Sequence, residues 1–130
     1  MIKYTFLLFV ILLAPVLTIQ ADNLTQYNPS VIPHPVQIVP GSGEFGFSGQ
    51  TIFSVENVEQ MEIVRDLAML FTHSAGFTPI VTLDNKKGNV CLITDRSLKS
   101  EAYELDITPQ KIVIKASCLK CFIYAIQTLR

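Results

Sequence analysis

Cys118-Leu119-Lys120-Cys121 is the spacing in this chain that carries a recognisable chemistry. The pair follows a strand-like run and opens a helix-like one. A helix N-terminus favours a thiolate, so Cys118 is a candidate nucleophile for thiol–disulfide exchange. A disulfide oxidoreductase also needs further strands and helices that face such a pair, and nine residues follow Cys121. The plainer alternatives are two small buried helix residues or a local disulfide. Cys91, inside an apolar run, reads as a buried free thiol. A zinc site needs about four ligands, and Cys91, Cys118 and Cys121 have no suitable fourth. His34 lies between two prolines without ligand spacing to anything, and His73 falls near the end of a helical stretch, where a helix dipole favours it. Gly41, Gly43, Gly46 and Gly49 punctuate turns and form no phosphate cradle, because no Lys-Ser/Thr follows and no helix starts at the last of them. The Asp and Glu residues are scattered over turns, helix caps and outer strand faces. No catalytic, cofactor-binding or metal-ligating residue is assigned, and no cofactor is implied.

These residues are placed by a short set of elements. Prolines at 33, 35 and 40 confine the first to extended geometry, with Val36 to Val39 an edge strand. Thr51 to Val55 reads as a second strand. Val58, Met61, Val64, Ala68, Phe71 and Ala75 step by three and four, and Leu67 and Leu70 widen the stripe, which predicts a helix over Val58 to Ala75. Asn57 with Gln60 is a variant capping box, Glu56, Glu59 and Glu62 suit the positive end, and Gly76 with Pro79 stops the helix. The stripe, Met61 included, reads as core rather than a binding groove.

Ile80 to Leu83 is a short strand, and Asp84 to Gly88 is a polar turn. Val90 to Ile93 is unbroken apolar, as in a strand buried on both faces. After a solvated connection over Asp95 to Ala102, Tyr103, Leu105 and Ile107 alternate with Glu104 and Asp106. A Thr108-Pro109-Gln110-Lys111 turn leads to Ile112 and Ile114, so the pair forms a hairpin. Ser117 is placed to cap a last helix bearing Cys118, Leu119, Phe122, Ile123, Ala125, Ile126 and Leu129. That helix is apolar over more than half its surface and expects neighbours on both sides. The order β-β-α-β-β-β-β-α implies an α/β (α+β) fold: a mixed, mostly antiparallel sheet with two helices packed on one face.

At 130 residues the chain is one domain at most. Lys3, the apolar run Phe6 to Leu17 and the small Ala21 read as a signal peptide over residues 1–21. The run is shorter than the ~20 residues of a membrane span and contains Pro15, so no stable span is expected. No cysteine stands near the cleavage point for lipid attachment. The mature chain is then exported to a periplasmic or extracellular compartment, with residues 22–30 a loose polar leader and 31–130 the domain. Asn23-Leu24-Thr25 fits a glycosylation sequon. The formal net charge is −1, and without Lys3 it is −2. No basic cluster exists to neutralise phosphates, so nucleic acid is not an expected partner.

Ala116, Tyr124, Gln127, Thr128, Leu129 and Arg130, with Tyr103-Glu104-Leu105 and Ile112 to Lys115 before them, resemble the end of the N-terminal, non-catalytic domain of family 20 glycoside hydrolases, the β-N-acetylhexosaminidases. Ile32-Pro33-His34-Pro35, then Gly43 and Phe45, are similar to that family's I-P-x-P opening strand and G-x-F turn. The resemblance covers roughly Val31 to Arg130. It implies an accessory domain whose last helix leads into a (β/α)8 catalytic barrel and whose helical face packs on that barrel and stabilises it. The whole enzymes remove terminal N-acetylhexosamine from glycans without a metal. In them the substrate's acetamido group acts as nucleophile, and an adjacent Asp-Glu on a barrel strand serves it. This sequence contains no Asp-Glu or Glu-Asp dipeptide and no tryptophan. The resemblance therefore implies a fragment that ends before the barrel and is inactive by itself. The implied partners are the barrel and, through it, N-acetylhexosamine glycans. Two other readings remain open: a free-standing interaction or glycan-binding module, and the exported oxidoreductase using Cys118 and Cys121.

Overall fold

The protein is described by a computed structural model covering residues 35–84 and 86–129. The expected signal peptide over residues 1–21, the leader over 22–30 with the sequon at Asn23, Ile32-Pro33-His34, Asn85 and Arg130 lie outside the described residues. The elements are β1 (Ile52–Ser54), α1 (Val58–Ala75), β2 (Ile80–Thr82), β3 (Val90–Thr94), β4 (Tyr103–Ile107), β5 (Ile112–Ala116) and α2 (Leu119–Thr128). They form one five-stranded sheet in the order β2-β1-β3-β5-β4.

The capping residues define α1. Asn57 is extended, and its Oδ1 accepts the amide hydrogen of Gln60 at 2.8 Å, satisfying one of the unpaired donors of the first turn. Gly76 ends the helix in the left-handed conformation at φ 75°. The buried side of α1 is Gln60, Val64, Leu67 and Ala68, with Val58 and Ala75 exposed at its two ends. The apolar stripe was expected to include both. Of the two leucines expected to widen it, Leu67 is buried and Leu70 is exposed, and the first turn closes on Gln60. Gln60 Nε2 donates to Thr94 Oγ1 at 3.1 Å, and its Oε1 accepts from the Glu56 amide at 2.8 Å. A polar residue can be buried there because every group finds a partner.

The sheet is mixed, but three of its four pairings are parallel: β1 with β2, β1 with β3, and β3 with β5. The antiparallel majority expected from sequence is thus overturned. The β4–β5 hairpin alone has strands joined by a tight turn, in which the Thr108 and Lys111 amides donate to each other's carbonyls at 2.9 and 3.3 Å. The chain passes from β1 to β2 through α1 and from β2 past β1 to β3, so β1 runs parallel to the strand on either side of it. The second crossing demands a glycine. A Cβ on Gly88 would stand 2.5 Å from Ser54 Cβ, closer than any carbon can approach. Asn89 then ties the start of β3 to both neighbours: it donates to the Ile52 carbonyl, accepts the Ile52 amide on Oδ1 and accepts the Ile112 amide on its carbonyl.

The expected strand over Val36 to Val39 is absent. These residues are exposed and make no ladder. With Pro35 and Pro40 removing donors at either end, the segment has neither hydrogen bonds nor burial to hold it in a sheet. The chain joins the core only at Phe45 and Phe47, whose rings stand 5.1 Å apart, with Phe47 also against Phe53 and Phe71. Gly43, at φ 86°, lets this segment pass Pro109: a Cβ there would lie 2.6 Å from the proline Cγ.

Register explains the core. Val90 with Ile112, Leu92 with Ile114 and Thr94 with Ala116 share one sheet face, and Phe53 pairs with Val90. Val64 and Leu67 of α1 and Cys121, Phe122, Ala125 and Ile126 of α2 close over that face in a single buried cluster. Each fully buried side chain of the size of Ile or Phe contributes about 1.5–3 kcal/mol of transfer free energy. β3 is the central strand, and Val90, Cys91 and Leu92 are buried on both faces, whereas Ile93 emerges beside Lys115 on the outer face.

Candidate functional site

The end of β5 delivers the chain into α2 through Ser117 and Cys118. Cys118, not Ser117, is the cap: it is extended, and its Sγ accepts the Cys121 amide hydrogen at 3.3 Å. Ser117 is occupied elsewhere. Its hydroxyl donates to the Lys99 carbonyl at 3.1 Å and its amide to the Ala102 carbonyl at 3.3 Å, anchoring the loop before β4. Cys118 and Cys121 form a disulfide, with Cα atoms 5.2 Å apart. Cys121 is fully buried and Cys118 is half-buried, so any approach to the bond is from the Cys118 side. Cys91 is free and buried, its thiol donating to the Gly88 carbonyl at 3.3 Å. Of the alternatives left open for these cysteines, the structure takes the local disulfide and the isolated buried thiol.

The second feature is the outer surface of the helical layer. An open cleft of about 430 Å³ runs between α1 and the end of α2, lined by Leu67, Leu70, Phe71, His73, Ser74 and Leu129. His73 stands in the last turn of α1, as expected, and also borders this cleft. Along α2, Leu119, Ile123 and Tyr124 are about 40% exposed. Lys120 lies 5.5 Å from the centroid of the Tyr124 ring and 3.4 Å from Glu101 Oε1. The Tyr124 side chain, and then Glu101, hold Lys120 above the usual lysine range. Glu101 itself adopts φ 62°, a left-handed conformation costly for a residue with a side chain. The last turn of α2 is joined to the sheet by Tyr103, whose hydroxyl lies 2.9 Å from Thr128 Oγ1.

The carboxylates are used structurally. Glu56 Oε2 accepts the Thr94 amide at 2.8 Å, linking the start of α1 to the end of β3. Glu62 pairs with Arg65, Asp84 with Lys87, and Glu104 with Lys115. Asp95 accepts from the Ser97 amide and hydroxyl. Two are held below the usual aspartate range: Asp95 by the Ser97 hydroxyl and amide, and Asp84 by the Lys86 amide and then Lys87. Among the described residues no group of three or more His, Cys, Asp or Glu side chains is arranged to hold a metal ion. None of the described helices is long and apolar enough to cross a membrane. Sequence reasoning missed the Glu56–Gln60–Thr94 network. Gln60 was visible as a capping partner, but Thr94 lies 34 residues away and carries no local signal.

Comparison with known proteins accords with this arrangement. Residues 28–130 match the family described as glycosyl hydrolase family 20, domain 2. Among solved structures, the fold is similar to part of the N-acetyl-β-hexosaminidase of Streptomyces plicatus, with 27% identity and a TM-score of 0.66 over 77% of this chain and 20% of that one. It is also similar to part of the GH20 exo-β-N-acetylglucosaminidase of Vibrio harveyi, solved in complex with N-acetylglucosamine: 21% identity, TM-score 0.65, 76% of this chain and 15% of that one. The β-N-acetylhexosaminidase of Bacteroides fragilis gives 22% and 0.58 over 76% and 20%. The chain thus spans a fifth or less of each of these proteins. No curated protein matches it.

Proposed function

The chain belongs to glycosyl hydrolase family 20, as its domain 2, and from that premise we propose that it is the accessory domain of an exported β-N-acetylhexosaminidase. In this reading the outer surface of α1 and α2 packs on a catalytic barrel and stabilises it. The barrel supplies the Asp-Glu pair and removes terminal N-acetylhexosamine from glycans, and this domain touches no reacting atom.

The observation that carries the proposal is the exposed apolar surface of the helical layer. Leu119 and Ile123 on α2 stand out from a helix whose opposite side is already buried, and Leu70 and Leu129 line the cleft beside it. Large apolar side chains left exposed on the helices of one layer suit a packing interface. The carboxylates engaged in caps, turns and surface pairs, and the absence of any Asp-Glu dipeptide, argue that hydrolysis belongs to another part of the protein. Export is supported by the apolar N-terminal run and by the Cys118–Cys121 disulfide, since such bonds persist in oxidising compartments.

The test is to read the coding sequence past codon 130 and to assay the complete product on a chromogenic N-acetyl-β-hexosaminide. A barrel with an adjacent Asp-Glu pair in frame, and activity that disappears when that Glu becomes Gln, are the expected results. A stop codon at that point, with no barrel encoded alongside and a domain that is monomeric and stable, would sink the proposal.

A further inference from the structure

We propose that the Cys118–Cys121 bond is a thiol–disulfide exchange site that reacts with small thiols and disulfides at Cys118 and uses Cys121 as the resolving sulfur. The proposal goes beyond the accessory-domain reading and does not depend on it.

Geometry sets the direction of attack. A thiolate must approach one sulfur along the S–S axis, and the leaving electron pair goes to the other. Cys121 Sγ is sealed inside the core with Phe122, Ala125 and Ile126, whereas Cys118 is half-buried at the start of the helix. Attack by a small thiolate therefore falls on Cys118. The new bond joins the incoming sulfur to Cys118 Sγ, the Cys118–Cys121 bond breaks, and the electron pair stays on Cys121 Sγ, which takes a proton from solvent. A second thiol then attacks the incoming sulfur of the mixed disulfide and releases Cys118 as thiolate. The sum is one protein disulfide and two thiols giving one protein dithiol and one small disulfide.

The neighbouring groups suit both products. The Cys121 amide hydrogen already points at Cys118 Sγ and would hydrogen-bond the thiolate formed there. Ser117 Oγ lies 3.6 Å from Cys121 Sγ, while its own proton is directed to the Lys99 carbonyl. The serine oxygen can thus accept from the Cys121 thiol, so the buried sulfur need not remain unpaired. By microscopic reversibility, a small oxidised disulfide reacts first at Cys118, and Cys121 closes the ring. Because Cys118 is also the cap of α2, a mixed disulfide at this position removes the covalent constraint on the first turn of the helix that carries Leu119 and Ile123.

The experiment uses the full chain and reads Cys91 as an internal marker of folding, since that thiol is free and buried. The wild-type chain is reduced with millimolar dithiothreitol under native conditions, alkylated, and mapped by mass. Cys121→Ser and Cys118→Ser are each treated with oxidised glutathione. Expected are alkylation after reduction at Cys118 with Cys91 unlabelled, and glutathione on Cys118 in the first variant. Modification of Cys121 in the second should be at least about tenfold slower, the minimum that a sealed sulfur would show. Comparable rates at the two sulfurs would overturn the proposal. So would a wild-type bond reducible only in denaturant, or labelling of Cys91 in step with Cys118, because access would then come from unfolding.

Discussion

Asn57 holds the first turn of α1 through one hydrogen bond to the Gln60 amide. Replacing it with alanine leaves that donor without its partner at a cost of about 1 kcal/mol. For a domain of this size that lowers Tm by roughly 4–8 °C. Asn57→Gly should cost only a few tenths of that, about 0.3 kcal/mol, because glycine lets water reach the amide. Urea melts of the two variants beside the parent separate the cap from a general loss of packing. Asp84 and Asp95 give a second test at this scale. Both are held below the ordinary aspartate range by hydrogen bonds to their charged forms. The native state therefore binds fewer protons than the unfolded state where these groups titrate. Their stabilisation is complete above the unfolded value, near pH 4, and is lost as pH falls through the lower native value. Asp95→Asn removes one of the two groups, so Tm measured from about pH 5 down to pH 2.5 should fall less steeply than in the parent. An unchanged slope would mean that the Ser97 contacts are not kept in solution.

α2 is held to the sheet at both ends by different means. At its start the burial of Cys121 and Phe122 in the core fixes it, and at its end the Tyr103–Thr128 contact does. Tyr103→Phe keeps the ring against the core and removes only that contact, about 0.5–1.5 kcal/mol. Hydrogen exchange should accelerate in the last turn of α2 and remain unchanged at Cys121 and Phe122. The elements that sequence made legible are those whose determinants are local. Asn57 and Gly76 bracketed α1, the Thr108–Lys111 turn gave the β4–β5 hairpin, and alternation put Tyr103 and Leu105 against the core, with Ile107 exposed at the hairpin end. What was not legible depends on distant partners. Parallel pairing of β1 with β3 rests on Asn89 bridging strands 37 residues apart, and on Gly88 slipping past Ser54. Val36 to Val39 had strand-like composition, but a strand needs a neighbour, and none is offered there. At the candidate site, spacing pointed to the cysteine pair and left its state open. Ser117, a better capping residue in isolation, yields that role to Cys118 for a tertiary reason, because its hydroxyl and amide are engaged by the Lys99 and Ala102 carbonyls.

At the scale of the molecule, one side of the helical layer is finished and the other is not. The side facing the sheet is continuous from Phe53 to Ile126, with no buried polar side-chain atom left unpaired among the described residues. The outer side carries Leu119, Ile123 and Leu70 in contact with solvent. Substitution at Ile123 separates the two. Because that side chain is about 40% exposed, Ile123→Glu should cost the domain alone roughly 1–2 kcal/mol, the share of an isoleucine's transfer free energy already gained within it. If the same face is buried against a barrel, the substitution also forfeits the remaining two-fifths of an isoleucine's transfer free energy, about 0.6–1.2 kcal/mol, and buries a charge in its place. In the complete protein the variant should therefore lose glycosidase activity at a lower temperature than the parent, with KM for the hexosaminide unchanged. The same surface makes a prediction for residues 22–130 alone: they should bind a hydrophobic dye and self-associate, and Ile123→Glu should suppress both. A monomer that melts sharply and reversibly without that substitution, and a complete protein indifferent to it, would together show that this face needs no cover, and the helical layer would have to be explained some other way.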